Sequence, residues 1–201
     1  MKKNAVIMAA ILLVIAVLAV SCASGGGAKT GKAAPALYNW NFSNPASGTA
    51  GWVIFPEDFW DYHGTAQLSR DDKTFKKGVL RMDVDFSKDS DSDWSEPKMK
   101  MVFNTPIEGV KKISFDFIYN PELIQDGHFK SKAVIFNGKK QLAENFTEAI
   151  LAFDKVANGY VKEAVSISIR ASEPVDTLVL SIAGYKVDYK GPVFFDNIRL
   201  E

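Results

Sequence analysis

The chain has 201 residues, 47% of them apolar, and carries 24 basic against 24 acidic side chains for a formal charge of zero. That length and apolar content suit one domain with a real core, and the balanced charge lacks the basic footprint of a nucleic-acid-binding protein. A single cysteine excludes a framework of intrachain disulfides.

Lys2 and Lys3 precede a nearly unbroken apolar run over residues 5 to 20, which ends in the small residues Ser21, Cys22, Ala23 and Ser24. This order predicts an export signal peptide over residues 1 to 21. A spanning helix wants about 20 apolar residues, more than this run supplies. Ala19-Val20-Ser21-Cys22 resembles a bacterial lipobox, although Leu18 sits one place earlier than the leucine of that pattern. If the segment were instead an ordinary cleaved peptide, Cys22 would be left as a reactive thiol in an oxidising compartment. Cys22 is therefore expected to be lipidated, to become the new N-terminus and to anchor the protein to a membrane. Removing Lys2 and Lys3 leaves 22 basic against 24 acidic residues, a net charge of −2. The expected location is the cell envelope, and Ala23 in place of an aspartate favours the outer membrane or cell surface. Residues 22 to 36, rich in Gly and Ala, read as a flexible tether, and the folded domain is expected over residues 37 to 201.

From Val79 onward, short runs alternate apolar with polar residues, the period of a half-buried strand. Leu80, Met82, Val84 and Phe86 alternate with Arg81, Asp83 and Asp85, and Met99, Met101 and Phe103 alternate with Lys98, Lys100 and Val102. Similar sets follow at Ile113, Phe115 and Phe117, at Val165, Ile167 and Ile169, at Leu178, Leu180 and Ile182, and over residues 193 to 200. The expected fold is all-β, an antiparallel two-sheet sandwich. One segment departs from that period. Leu142, Phe146, Ile150, Phe153 and Ala157 recur every three or four residues, which predicts one short helix, a strand and loop being the alternative.

The chain holds only His63 and His128 as histidines, and no GxSxG turn, HExxH pair, P-loop or dinucleotide glycine pattern occurs. Carboxylates are plentiful, but glycosidase chemistry needs two of them facing across a cleft. Asp89, Asp91 and Asp93 have a spacing faintly like a calcium loop without its glycine, and a solvated loop is the expected reading. No catalytic residue is assigned and no enzyme is expected.

The tryptophans are more informative. If Met99, Met101 and Phe103 face the core, the pleat puts Trp94, Glu96, Lys98 and Lys100 on the opposite face. Trp52 and Trp60 lie in a second aromatic stretch at residues 51 to 62. Indole rings pack against the C–H faces of sugars, and carboxylates, amides and ammonium groups bond their hydroxyls. Partial burial in a core explains such large side chains equally well.

Ser92-Asp93-Trp94-Ser95-Glu96 entering a strand, and the ending from Tyr189-Lys190-Gly191-Pro192 through Asp196-Asn197-Ile198-Arg199-Leu200, resemble carbohydrate-binding module family 27, as do Asn41-Phe42-Ser43 and Lys77-Gly78-Val79-Leu80. The resemblance runs from about Leu37 to Glu201. It implies a jelly-roll sandwich that binds β-mannan without catalysis, with Trp94 and either Trp52 or, by preference, Trp60 in the aromatic platform and Glu96 and Lys98 beside them. The third aromatic that the family places after Val134-Ile135-Phe136 is replaced here by Asn137-Gly138-Lys139-Lys140. A structural calcium near the chain ends is implied as well, with Asp196 and Asn41 as side-chain ligands. The expected protein is thus a monomeric, lipid-anchored, polysaccharide-binding module. The rival is an envelope lipoprotein of structural or protein-interaction role that kept the sandwich without a sugar site.

Overall fold

The computed structural model describes residues 36–55, 62, 64–89, 94–124, 126–151 and 154–201. Twelve strands lie among them: β1 (Tyr38–Trp40), β2 (Val53–Ile54), β3 (Gln67–Asp71), β4 (Val79–Asp85), β5 (Lys98–Ile107), β6 (Lys112–Tyr119), β7 (His128–Asn137), β8 (Lys140–Phe146), β9 (Asp154–Lys155), β10 (Val161–Ser168), β11 (Val175–Tyr185) and β12 (Lys190–Leu200). Every pairing is antiparallel. One sheet has the order β3-β4-β12-β6-β10-β9 with β1 also on β12, and the other has the order β2-β5-β11-β7-β8.

The alternation seen in the sequence builds the core directly, because residues two apart share a face. Leu80, Met82 and Val84 of β4, Phe115 and Phe117 of β6 and Val193 and Phe195 of β12 are buried from the seven-stranded sheet. Met99 and Met101 of β5, Phe129, Ala133 and Ile135 of β7 and Leu178, Leu180 and Ile182 of β11 meet them from the five-stranded sheet. The all-β sandwich is as expected. Many aromatic rings interlock at the centre, Phe117 lying edge-on to Phe129 at 5.5 Å and Phe129 edge-on to Tyr189 at 5.3 Å.

The predicted helix over residues 142 to 157 does not form. Leu142 and Phe146 belong to β8, paired with β7, and Ile150 makes an isolated bridge to Phe129. Ala157 opens a single 3₁₀ turn, Ala157–Gly159; Phe153 lies outside the described residues. No α-helix occurs among the described residues. The helical spacing is an accident of an edge strand followed by a loop: β8 puts Phe146 outward, and the loop brings Ile150 back under the sheet.

Two short segments fix the chain's entry. Arg70, whose side chain is only 10% exposed, donates from Nε to the Phe42 carbonyl at 2.7 Å and pairs through Nη1 with Asp72 at 2.7 Å. The guanidinium and that carbonyl crowd Gly78, where an added Cβ would lie 2.3 Å from Arg70 Nη2 and 2.4 Å from Phe42 O at φ +75°. Glycine is required there on both counts.

Candidate carbohydrate-binding face

The outer face of the five-stranded sheet is a grid whose rows are set by strand register. Lys98, Ser181, Lys132 and Phe146 form one row across β5, β11, β7 and β8. Lys100, Val179, Val134 and Glu144 form the next, and Val102, Thr177, Phe136 and Gln141 the third. Val134 and Val179 are buried beneath their longer neighbours. Over this apolar floor lies a hollow of about 140 Å³, walled by Phe55, Phe136, Glu96, Lys98, Lys132 and Glu144.

Charge is organised within it. Glu96 Oε1 lies 3.0 Å from Lys98 Nζ and 3.9 Å from Lys132 Nζ, and Lys132 Nζ lies 3.4 Å from Glu144 Oε2. Ser181 donates its hydroxyl to Glu96 Oε2 at 3.3 Å. Glu96 is thus a nearly buried acceptor that holds two ammonium groups in place. An ammonium has three donors, so Lys132, with Glu96 and Glu144 as its carboxylate neighbours, can still donate to a hydroxyl, while Glu144 and Gln141 can accept from one. Lys100 Nζ stands 4.8 Å from the centroid of the Phe55 ring, a cation held over an aromatic face.

Trp94 is half-buried. It lies one residue before Ser95, whose bridge to Gly184 puts Trp94 on the same outer face as Glu96 and Lys98. The sequence thus names three residues that the fold gathers there. Trp52 is different: it is 1% exposed and packs against Trp40 at 5.2 Å with its planes tilted by 58°. It is core and cannot receive a sugar ring, which corrects its place in the expected platform. The reason is position, since Trp52 precedes the two-residue β2 and turns inward while its neighbour Val53 turns out. Trp60, with Asp61 and His63, lies outside the described residues.

A model of a family described as "Carbohydrate binding module 27" matches residues 53–201. The chain belongs to carbohydrate-binding module family 27. Among solved structures, it is similar to TmCBM27, described by its mannan recognition, with 21% identity, a TM-score of 0.64, and coverage of 81% of this chain and 94% of that one. CBM27-1 of Caldicellulosiruptor saccharolyticus, solved in complex with mannohexaose, has 21% identity, a TM-score of 0.59 and coverage of 82% and 97%. A CBM28 module specific for non-crystalline cellulose has 18% identity, a TM-score of 0.58 and coverage of 75% and 87%. At these identities the likeness is one of fold. No curated protein matches the chain. Membership of family 27 makes residues 53–201 a carbohydrate-binding module, a class that binds without catalysing.

The two side chains that the resemblance implies as calcium ligands each accept a local hydrogen bond. Asn41 Oδ1 accepts from the Ser43 amide at 2.8 Å, and Asp196 Oδ1 from the Asn197 amide at 2.8 Å. The Phe42 carbonyl next to Asn41 is already served by the Arg70 guanidinium. Among the described residues no group of three or more Asp, Glu, His or Cys could hold a metal ion. Calcium takes six to eight oxygens, backbone carbonyls among them, so a calcium held by Asn41 and Asp196 would need main-chain oxygens beside them. Asp196 lies on the outer face of the seven-stranded sheet, with Asp116, Lys77 and Lys162, at a hollow of about 610 Å³ over Val79 and Ile118. Burial, and secondarily the nearby Asp116 carboxylate, raises its carboxyl above the ordinary range.

Sequence reasoning missed Phe136 and Phe146 on the family 27 module's outer face. Phe146 is 56% exposed and sits directly across from Lys132. The signal was present in Val134 and Phe136 alternating with Ile135, but the helical reading of residues 142 to 157 hid Phe146.

Proposed function

We propose that the outer face of the five-stranded sheet binds β-mannan or a related polysaccharide. The observation that carries this reading is the Glu96-braced pair Lys98 and Lys132, lying over the Val134 and Val179 floor and flanked by Phe55, Phe136 and Phe146. Sugar rings would pack on the aromatic side chains and the apolar floor, with hydroxyls accepting from Lys132 and donating to Glu144. The module acts as a monomer and holds the glycan for the cell, tethered through a lipid on Cys22 at the outer membrane or surface. Mannan recognition by TmCBM27 and the mannohexaose complex of CBM27-1 support mannan over other glycans. The rival reading, an envelope protein with an empty sandwich, gains from the burial of Trp52, while Phe136 and Phe146 supply aromatic surface in its place.

Affinity electrophoresis of the mature domain through gels containing mannan, glucomannan, xylan or cellulose tests the reading. Retardation by mannan, abolished in Trp94→Ala, is expected. Free migration in every gel overturns it.

A further inference from the structure

Beyond the hollow, the same face carries a second set of rings that neither its walls nor the expected platform includes. Along β7 the outward residues run Phe136, Val134, Lys132, Lys130 and His128, and along β11 they run Thr177, Val179, Ser181, Ala183 and Tyr185. His128 and Tyr185 are register partners whose rings stack at 5.1 Å and 29°. Tyr185 is 36% exposed and His128 is half-buried. Trp94 stands one residue beyond the Ser95–Gly184 bridge, which in antiparallel register sets it across from Tyr185. Three ring-bearing positions therefore follow one another across the sheet: Trp94, Tyr185 and His128.

This row lies four residues, about 13 Å of strand, from Lys132 and Ser181 in the hollow. Between them on β11 stands Ala183, fully buried beneath its neighbours, with Lys130 as its register partner on β7. Burial, and then the charge of Lys130, lowers the His128 pKa, which favours its uncharged ring. A neutral stacked pair exposes C–H-complementary ring surface, with the phenol hydroxyl and an imidazole nitrogen at its edge for sugar hydroxyls. Lys186 Nζ lies 5.9 Å from the Tyr185 ring centroid.

We infer that Tyr185 and His128 form an additional sugar subsite which extends the binding face past Trp94, so that the module reads glycan length as well as glycan type. The occupant is a further neutral hexose unit of the chain held in the hollow. The inference rests on the reading of that face as a glycan site.

Calorimetric titration with manno-oligosaccharides of three and six units, at pH 7.5, tests it on the unaltered protein and on Tyr185→Ala, His128→Ala and Tyr185→Phe. The unaltered protein should bind the hexamer more tightly than the trimer. Tyr185→Ala and His128→Ala should each weaken the hexamer by about 3- to 10-fold, as expected for loss of an aromatic contact, and leave the trimer unchanged. Tyr185→Phe, which keeps the ring, should retain most of the hexamer affinity, and thermal melting checks that each variant is folded. Hexamer affinity unchanged in both alanine variants, or trimer and hexamer weakened in parallel, overturns the extension and leaves the binding face intact. No binding of either oligosaccharide by the unaltered protein overturns the binding face itself and the extension with it.

Discussion

Trp52 and Trp94 share a residue type and differ in what their removal should cost. Trp52 fills core space against Trp40 at 1% exposure, so Trp52→Ala deletes a large buried ring and leaves a cavity. Such truncations cost about 3–5 kcal/mol, a large part of the stability of a domain this size. Urea denaturation of Trp52→Ala should show a midpoint far below that of the unaltered protein, whereas Trp94→Ala should keep the midpoint while losing mannan retardation. A Trp52→Ala variant as stable as the parent would contradict the core assignment. Trp94 was legible from sequence because it lies in phase with Glu96, Lys98 and Lys100 ahead of a ten-residue strand, so one buried methionine fixes the face of all four. Trp52 was not, because a two-residue strand offers no alternation to count. Phase, rather than residue type, separates an outward-facing tryptophan from a core one.

At the scale of elements, the same rule explains what could be read. Strands β4, β5, β6, β10, β11 and β12 each have one face in the core, and their period of two survives in the sequence. Edge strand β8 has little buried surface to impose a period, so its apolar residues Leu142 and Phe146 fell by chance into a helical spacing. Strand pairing also creates a pH dependence that no local pattern announces. Register sets Lys190 of β12 opposite Asp85 of β4, with Nζ 2.8 Å from Asp85 Oδ2. The bond from Lys190, followed by that from Ser87, lowers the Asp85 pKa to about 2. A carboxylate depressed by folding adds stability above its unfolded pKa of about 3.9, and that contribution is lost as pH falls through about 2. Lys190 is 71% exposed, and solvent screening keeps such a pair below about 1 kcal/mol. The urea midpoint of Asp85→Asn should therefore lie slightly below that of the parent at pH 6 and converge with it near pH 2. A gap that widens on acidification would refute the assignment.

Over the whole molecule, the proposed binding face and the proposed lipid anchor together define the proposed role. A carbohydrate-binding module is of a class that binds without catalysing, so its use to a cell depends on what it is attached to. The tether proposed over residues 22 to 36 carries Gly25-Gly26-Gly27 and no large apolar side chain, and the reach of a Gly-rich linker grows as the square root of its length. Tethering a weak binder to a surface raises its effective concentration toward a many-site polymer, so that several copies engage one glycan chain at once. That gain requires an anchor which persists, and a single acyl chain holds only marginally whereas two or more hold firmly. Cys22 is the position on which this depends. Cells producing the full chain and fed a clickable fatty acid should label it, and the protein should sediment with membranes. Cys22→Ala should be unlabelled, and cells carrying it should lose mannan-coated beads that cells carrying the parent retain. If Cys22→Ala cells hold the beads equally well, the lipid is not the anchor. If the parent is labelled yet neither strain holds beads, the anchor stands and the glycan reading fails.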